Sequence, residues 1–417
     1  MKAADVVADG LRRAGAGRAF CADDADPTLV DALRAAGVVF VPTPRAASAC
    51  TMAVVTGRLG DAPGVAVVSS DAPELGRVLA TAARDHAPCI VLASRPPEHA
   101  PTKTTVVAGA DSAAHWAAHA AQAAMSEPPG CVWLVISPDV ATRPALPVAT
   151  AARPAAESFD PAELETLVRA VGEAVRPMVV AGRGCRAPAT AAWLRAFAEA
   201  LPAPVLVTPA ARGALPDPHP LCHGLLRADA GIVRRADVVL ALGVDDVEFA
   251  SANVAFTAPV VRVGRIAALL EEVAPLLRDR SRADWDVAEL DRLRRARPAP
   301  VVTSALATLV TRVREATPSG TAAVFPHALE PATMVWQSVQ PGDVLVEEDV
   351  IAASAALALA RPEGLVLVFG AIRREAQAEL QRAGVDARLP EPGQVGSALE
   401  RALAGSGPRV VVVPVPG

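Results

Sequence analysis

Short, wholly apolar runs recur between stretches of helical periodicity, and this alternation constrains the chain more than any other feature. Between Leu201 and Gly243 the sequence reads LPAPVLVTPAARGALPDPHPLCHGLLRADAGIVRRADVVLALG. Pro204–Val207 and Val238–Leu242 are apolar throughout. A strand of that kind is buried on both faces, as in a parallel sheet covered by helices. The Gly- and Pro-rich segment between the two runs is a loop, and Ala228–Arg235 predicts a helix leading into the second strand.

The same rhythm begins at the N-terminus. Helices are predicted over Ala3–Ala14, Pro27–Ala36, Ala46–Arg58, Pro73–Arg84 and Ser112–Met125. Strands are predicted over Ala19–Cys21, Val38–Val41, Val65–Val68, Ile90–Ala93 and Val132–Ile136. Asp26 before Pro27 is a good N-cap followed by proline at the first helical position. Strand alternating with helix implies a doubly wound parallel sheet. A Pro- and Ala-rich stretch reads as a linker at 146–159. The pattern resumes with helix Pro161–Val175, strand Met178–Ala181 and helix Ala189–Ala200, and the charged stretch 278–298 predicts a surface helix. The expected organisation is α/β in three domains, 1–145, 160–298 and 299–417.

Composition narrows the partners. With 417 residues, a net charge of −5 and no basic stripe, the chain is not expected to bind nucleic acid. No run of eighteen apolar residues predicts a membrane span, and the first helix carries Asp5 and Asp9 instead of a secretory core. Six cysteines without C-x-x-C spacing read as buried apolar groups in a reducing, cytoplasmic setting. His115 and His119 share a helix face but lack a further ligand motif, so no metal site is expected.

The landmarks of the middle stretch, a strand ending in Thr208, a Gly-Pro loop, His219-Pro220, Gly224 and a closing Ala236–Gly243, fall in a familiar order. That order resembles the central domain of thiamine-diphosphate (ThDP) enzymes of the acetolactate synthase and benzoylformate decarboxylase type. Met52-Ala53, Gly57, Pro63-Gly64-Val65, Asp85, Pro88 and Pro129-Gly130 resemble the pyrimidine-binding domain of the same enzymes. Leu329-Glu330-Pro331, Trp336, Gly342–Val346, Ala360–Gly364, Leu365–Phe369, Gln394–Ala404 and Val410–Pro414 resemble a shortened diphosphate-binding domain. The resemblance implies three doubly wound parallel-sheet domains in the ThDP-enzyme arrangement. It also implies a homodimer or dimer of dimers, with a cleft between the first domain of one chain and the third of another. The apolar helix Ala46–Val55 suits such an interface.

Departures from the family pattern set the functional expectation. The family carries a Glu about six residues before the Met, where it bonds the aminopyrimidine ring. Here that position is Ala46, and no carboxylate lies between Val38 and Leu59. The family's Gly-Asp-Gly and downstream Asn hold Mg²⁺ on the diphosphate, and Mg²⁺ demands near-octahedral oxygen ligands. This chain has Phe369-Gly370-Ala371-Ile372-Arg373-Arg374, and Asn253 is its single asparagine. The expectation is therefore neither ThDP nor Mg²⁺. Gly182, Gly184, Thr208 and Gly243 outline a turn in the central domain that could receive FAD or another nucleotide.

The sequence thus reads as an acetolactate synthase-like protein repurposed as a ThDP-independent enzyme. It would act on a small 2-oxo acid or related carboxylate at the former dimer-interface cleft. One alternative is a non-catalytic partner or regulatory scaffold of an active paralogue. Another is a ThDP-dependent carboligase or decarboxylase subunit completed by another chain. In the first reading Arg45 and Arg373 hold the anionic group through forked hydrogen bonds, and Glu348 or Asp349, beside Glu347, moves a proton. Ser69, Ser70 and Arg374 contact the substrate.

Overall fold

Three parallel sheets carry the chain. In this computed structural model the described residues are 1–69, 74–97, 101–147, 160–264, 266–277, 283–296, 302–371 and 375–415. The first sheet comprises β1 (Arg18–Ala22), β2 (Val39–Thr43), β3 (Gly64–Val68), β4 (Cys89–Ala93), β5 (Thr104–Val107) and β6 (Cys131–Val135). Their order is β2-β1-β3-β4-β6-β5, with every pairing parallel. β3, β4 and β6 are buried at every residue, as their unbroken apolar sequences require. β5 was not predicted. It is a short edge strand, half exposed, and its two threonines break the apolar run.

The second sheet holds β7 (Pro177–Ala181), β8 (Val205–Val207), β9 (Cys222–Leu225), β10 (Val238–Leu242) and β11 (Val260–Val263), ordered β11-β10-β7-β8-β9. The helix expected over Ala228–Arg235 is absent. Isolated turns replace it, closed by Ala230 N–H to Arg227 C=O at 3.1 Å and Val233 N–H to Ala230 C=O at 3.0 Å. Gly231 in mid-segment weakens any continuous helix. Of the surface helix expected at 278–298, the described residues form Val287–Arg295, after a separate helix Ala267–Leu277; residues 278–282 and 297–298 lie outside the described residues.

The third sheet holds β12 (Ala322–Phe325), β13 (Val344–Val346), β14 (Leu365–Phe369), β15 (Asp386–Arg388) and β16 (Arg409–Val413), ordered β13-β12-β14-β16-β15. Its first strand is β12, and the Gly342–Val346 run yields the edge strand β13. The segment carrying Leu329-Glu330-Pro331 is a 3₁₀ turn, His327–Val335, with Pro331 inside it. Proline there removes a donor and clashes with the preceding turn.

The chain divides into two compact units. One contains Met1–Pro154, Ala323–Leu329 and Leu345–Gly417; the other contains Ala155–Ala322 and Glu330–Val344. No helix among the described residues is long and apolar enough to cross a membrane. All six cysteines are buried, and burial pushes the Cys21 thiol up to about 12.

Within the first unit, helix Ala46–Leu59 packs on β3 and against helix Val350–Ala360, whose residues Ala352–Leu359 are all buried. The apolarity that suggested an interface between chains is therefore covered inside one chain. Contact with β3 is backbone to backbone: a Cβ on Gly64 would lie 1.9 Å from the Ala53 carbonyl oxygen. Gly64→Ala must push the helix off the sheet, and overpacking of this kind costs about 1–3 kcal/mol. A urea unfolding midpoint equal to that of the parent would show that the helix does not sit this close.

Candidate active site

The turn after β13, Glu347-Glu348-Asp349, lies along helix Ala46–Leu59, with Asp349 at its start and Glu347 at its end. Asp349 caps helix Val350–Ala360, its Oδ1 accepting from the Ala352 N–H at 3.1 Å. Its Oδ2 accepts from the Ser48 hydroxyl at 2.8 Å and from Arg45 Nη2 at 3.2 Å. Arg45 is the N-cap residue of helix Ala46–Leu59. Two helix N-termini therefore converge on one carboxylate, and each carries a partial positive charge that favours an anion.

Glu347 is buried and pairs with Arg58, from the last turn of helix Ala46–Leu59. The other arm of the guanidinium reaches Asp85 at 3.2 Å. Burial alone would pull the Arg58 pKa down, but the adjacent Glu347 and Asp85 charges push it above its ordinary value. Glu348 is exposed and lies 3.4 Å from Arg77.

Arg45, Arg77, Glu347, Glu348 and Asp349 line a cavity of about 640 Å³, within the usual range of small-molecule sites. Thr51, Val54, Val78, Ile351 and Ala376 give it apolar walls. Its charged lining is strongly acidic: Glu74, Glu347, Glu348, Asp349, Glu375 and Glu379 stand against Arg45 and Arg77, with His327 beside them. Burial raises the Glu379 pKa; Asp349 adds to the rise, and Arg45 opposes it.

Four of the residues singled out in the sequence, Arg45, Glu347, Glu348 and Asp349, do meet at this cavity. They were expected on two chains; here they come from one. Ser69 is not among them: its hydroxyl donates to Asp24, and its carbonyl accepts from Ser94 at 3.3 Å. Ser70, Arg373 and Arg374 lie outside the described residues. Sequence reasoning missed Ser48, Arg58 and Glu379. Arg58 left one signal, a lone charge in an otherwise apolar helix.

In the second unit, Gly182, Gly184, Thr208 and Gly243 also meet, at the C-terminal ends of β7, β8 and β10. A Cβ on Gly182 would lie 2.3 Å from the Gly243 carbonyl oxygen, so only glycine permits this approach. They surround a carboxylate of the chain itself. Buried Glu248 accepts from the Arg183 N–H at 3.0 Å and from the Thr208 hydroxyl. Arg183 Nε lies 3.0 Å from Asp245 and 3.4 Å from Glu248. The turn N–H that a nucleotide phosphate would need is taken by Glu248.

Comparison with known proteins bears on the whole chain. Residues 1–106 match the sequence model of the thiamine pyrophosphate enzyme N-terminal TPP binding domain, and residues 164–273 match that of the central domain. The chain belongs to the thiamine-diphosphate enzyme superfamily. It is similar to 2-hydroxyacyl-CoA lyase 1 of Dictyostelium discoideum, 39% identical over 80 residues. That match covers 19% of this chain and only 13% of the lyase. The fold is similar to that of the thiamine diphosphate-dependent 4-hydroxybenzoylformate decarboxylase of Rhodococcus jostii RHA1, with a TM-score of 0.75 and 16% identity. The similarity spans 100% of this chain and 99% of the decarboxylase.

The matched N-terminal domain is described by its TPP binding, which points to thiamine diphosphate as the cofactor of this superfamily member. That finding overturns the expectation of no cofactor drawn from the missing Gly-Asp-Gly and Asn. The cavity's donor set fits the cationic, heteroaromatic part of ThDP, with apolar walls for rings and carboxylates for positive charge and amino hydrogens. Both lining arginines are paired, Arg45 with Asp349 and Arg77 with Glu348.

The buried Arg58–Glu347 pair makes a testable demand. Arg58→Met leaves Glu347 buried without its cation and should destabilise the protein by about 3–5 kcal/mol. Arg58→Met combined with Glu347→Leu should recover most of that loss. A single-variant loss near the ~0–1 kcal/mol of a surface pair, measured by denaturant unfolding, would contradict this placement.

Proposed function

We propose that this chain is a ThDP-dependent lyase or carboligase acting beside the carbonyl of a small 2-oxo acid or related carboxylate, with the acidic cavity as its active site. The observation that carries this reading is the convergence of Arg45, Glu347, Glu348 and Asp349 on a cavity of about 640 Å³ in a fold of this superfamily. The lyase and the decarboxylase to which the chain is similar support the reaction class.

Thiamine diphosphate, when bound, supplies the nucleophile and electron sink for making or breaking a C–C bond next to a carbonyl. The protein's share is placement and charge. Glu347, fixed by Arg58, and Asp349, fixed by Ser48, would face the cofactor's cationic rings. Arg45 is exposed at the cavity and held by Asp349 through one nitrogen, so its remaining N–H groups suit a substrate carboxylate. Buried Thr51 and Val54 exclude water from that wall.

A second reading has its own support. β14 runs into Gly370-Ala371 where the family places Gly-Asp-Gly, which favours a subunit whose diphosphate ligands are completed by another chain. Calorimetry of the purified protein with ThDP and Mg²⁺ separates the two. Saturable, Mg²⁺-dependent binding supports the first reading. Binding that appears only with a co-purifying chain supports the second, and no binding under either condition overturns both. In the first case Arg45→Ala should raise KM for a turned-over 2-oxo acid at least tenfold, about 1.4 kcal/mol of lost binding.

A further inference from the structure

We propose that His115 and His119 form a chelating site for a divalent transition-metal ion, Cu²⁺ above all, on the side of the first sheet away from the cavity. This site is independent of the cavity and of its chemistry.

The two histidines are one helical turn apart on helix Ala113–Met125, and residues at that spacing share a helix face. Their rings lie side by side, with centres 6.2 Å apart and planes within 12° of parallel. Both residues are exposed, and among the described residues no hydrogen bond or ion pair engages either ring. Imidazole nitrogen suits Zn²⁺, Ni²⁺ and Cu²⁺. An ion about 2 Å from one nitrogen of each ring stands about 3 Å from each ring centre. Rings at the observed separation therefore reach a shared ion through side-chain rotation alone.

The backbone beneath them is fixed. Ala113, Ala117, Ala120, Ala121 and Ala124 bury the opposite side of the helix. A Cβ on Gly10 would lie 2.7 Å from the Ala117 Cβ, so helix Ala3–Arg13 packs against it without slack. Trp116 is half-buried and meets His115 edge-on at 5.0 Å and His119 at 5.9 Å. Its ring limits the rotamers open to both imidazoles, which reduces the entropy lost on chelation. Helices Ala3–Arg13 and Pro27–Ala35 share one core with this helix, whereas helix Ala46–Leu59 and the cavity lie on the other side of the sheet.

No third His, Cys, Asp or Glu joins the pair among the described residues. Water fills the remaining positions, so the ion exchanges freely and is not structural. The missing third ligand, which argued against a metal in the sequence, bears on closed sites and on three-ligand catalytic ones. Two imidazoles plus water favour Cu²⁺, which heads the divalent affinity order and accepts nitrogen and oxygen donors together. Mg²⁺ demands oxygen ligands and should ignore the pair.

The experiment is a Cu²⁺ titration of the untagged full-length protein, read by tryptophan fluorescence, because a paramagnetic ion beside an indole quenches it. Saturable quenching is expected in the parent, and Mg²⁺ at the same concentration should cause none. Trp116→Phe should remove that quenching while equilibrium dialysis still finds the ion bound. His115→Ala and His119→Ala each remove one arm of the chelate and should weaken binding by about tenfold or more. Alanine keeps the helix intact, so circular dichroism of both variants should match the parent. Electron paramagnetic resonance should show two imidazole nitrogens on the ion in the parent and one in either variant. No saturable quenching in the parent overturns the proposal. Equal binding by the parent and both alanine variants places the ion elsewhere and overturns it too.

Discussion

A single buried guanidinium ties the first sheet of one unit to the third. Arg58 leaves the end of an apolar helix, meets Glu347 after β13, and holds Asp85 with its other arm. Removing such charges from water costs several kcal/mol per ion, so the pair is a weak source of net stability. What it fixes is position. With Glu347 held, the next residues place Glu348 toward Arg77 and Asp349 between two helix N-termini. The acidic wall of the cavity depends on that one anchor, and the shape of the cavity depends on the glycine contact that seats the same helix on β3.

Legibility in the sequence followed burial. β3, β4, β6, β7, β10 and β14 are apolar at every residue because both faces are covered, and each was readable as a run. β5 and β15 were not, because an edge strand needs only one apolar face and a few residues. The Glu347–Asp349 cluster was legible from its place after a strand. Arg58 was not, since its partner is 289 residues away and no local pattern encodes that pairing. The cofactor was misjudged for a related reason. A missing ligand motif spans a handful of positions, whereas the domain match rests on the pattern of more than a hundred residues.

The second unit shows a different use of charge. The crevice at the C-terminal ends of β7 and β10 is where open α/β sheets tend to take their ligands. Here Glu248 fills it from the neighbouring helix, satisfied by Thr208 and by the Arg183 N–H and side chain. The glycines that look like a nucleotide signature are explained by the close approach of two turns. Glycine spacing thus reports backbone proximity, and only the occupant of the space reports a ligand.

The pairing of helix Ala46–Leu59 with the far end of the chain also has a kinetic side. Ser48 and Asp349 are separated by 301 residues. At synthesis rates of about 5–20 residues per second, the segment that completes the contact emerges roughly 15–60 s after the first helix. Throughout that interval an almost wholly apolar helix has no partner from the third sheet. Until then the face of helix Ala46–Leu59 that packs against helix Val350–Ala360 stays uncovered, and apolar surface left open in this way is prone to aggregation.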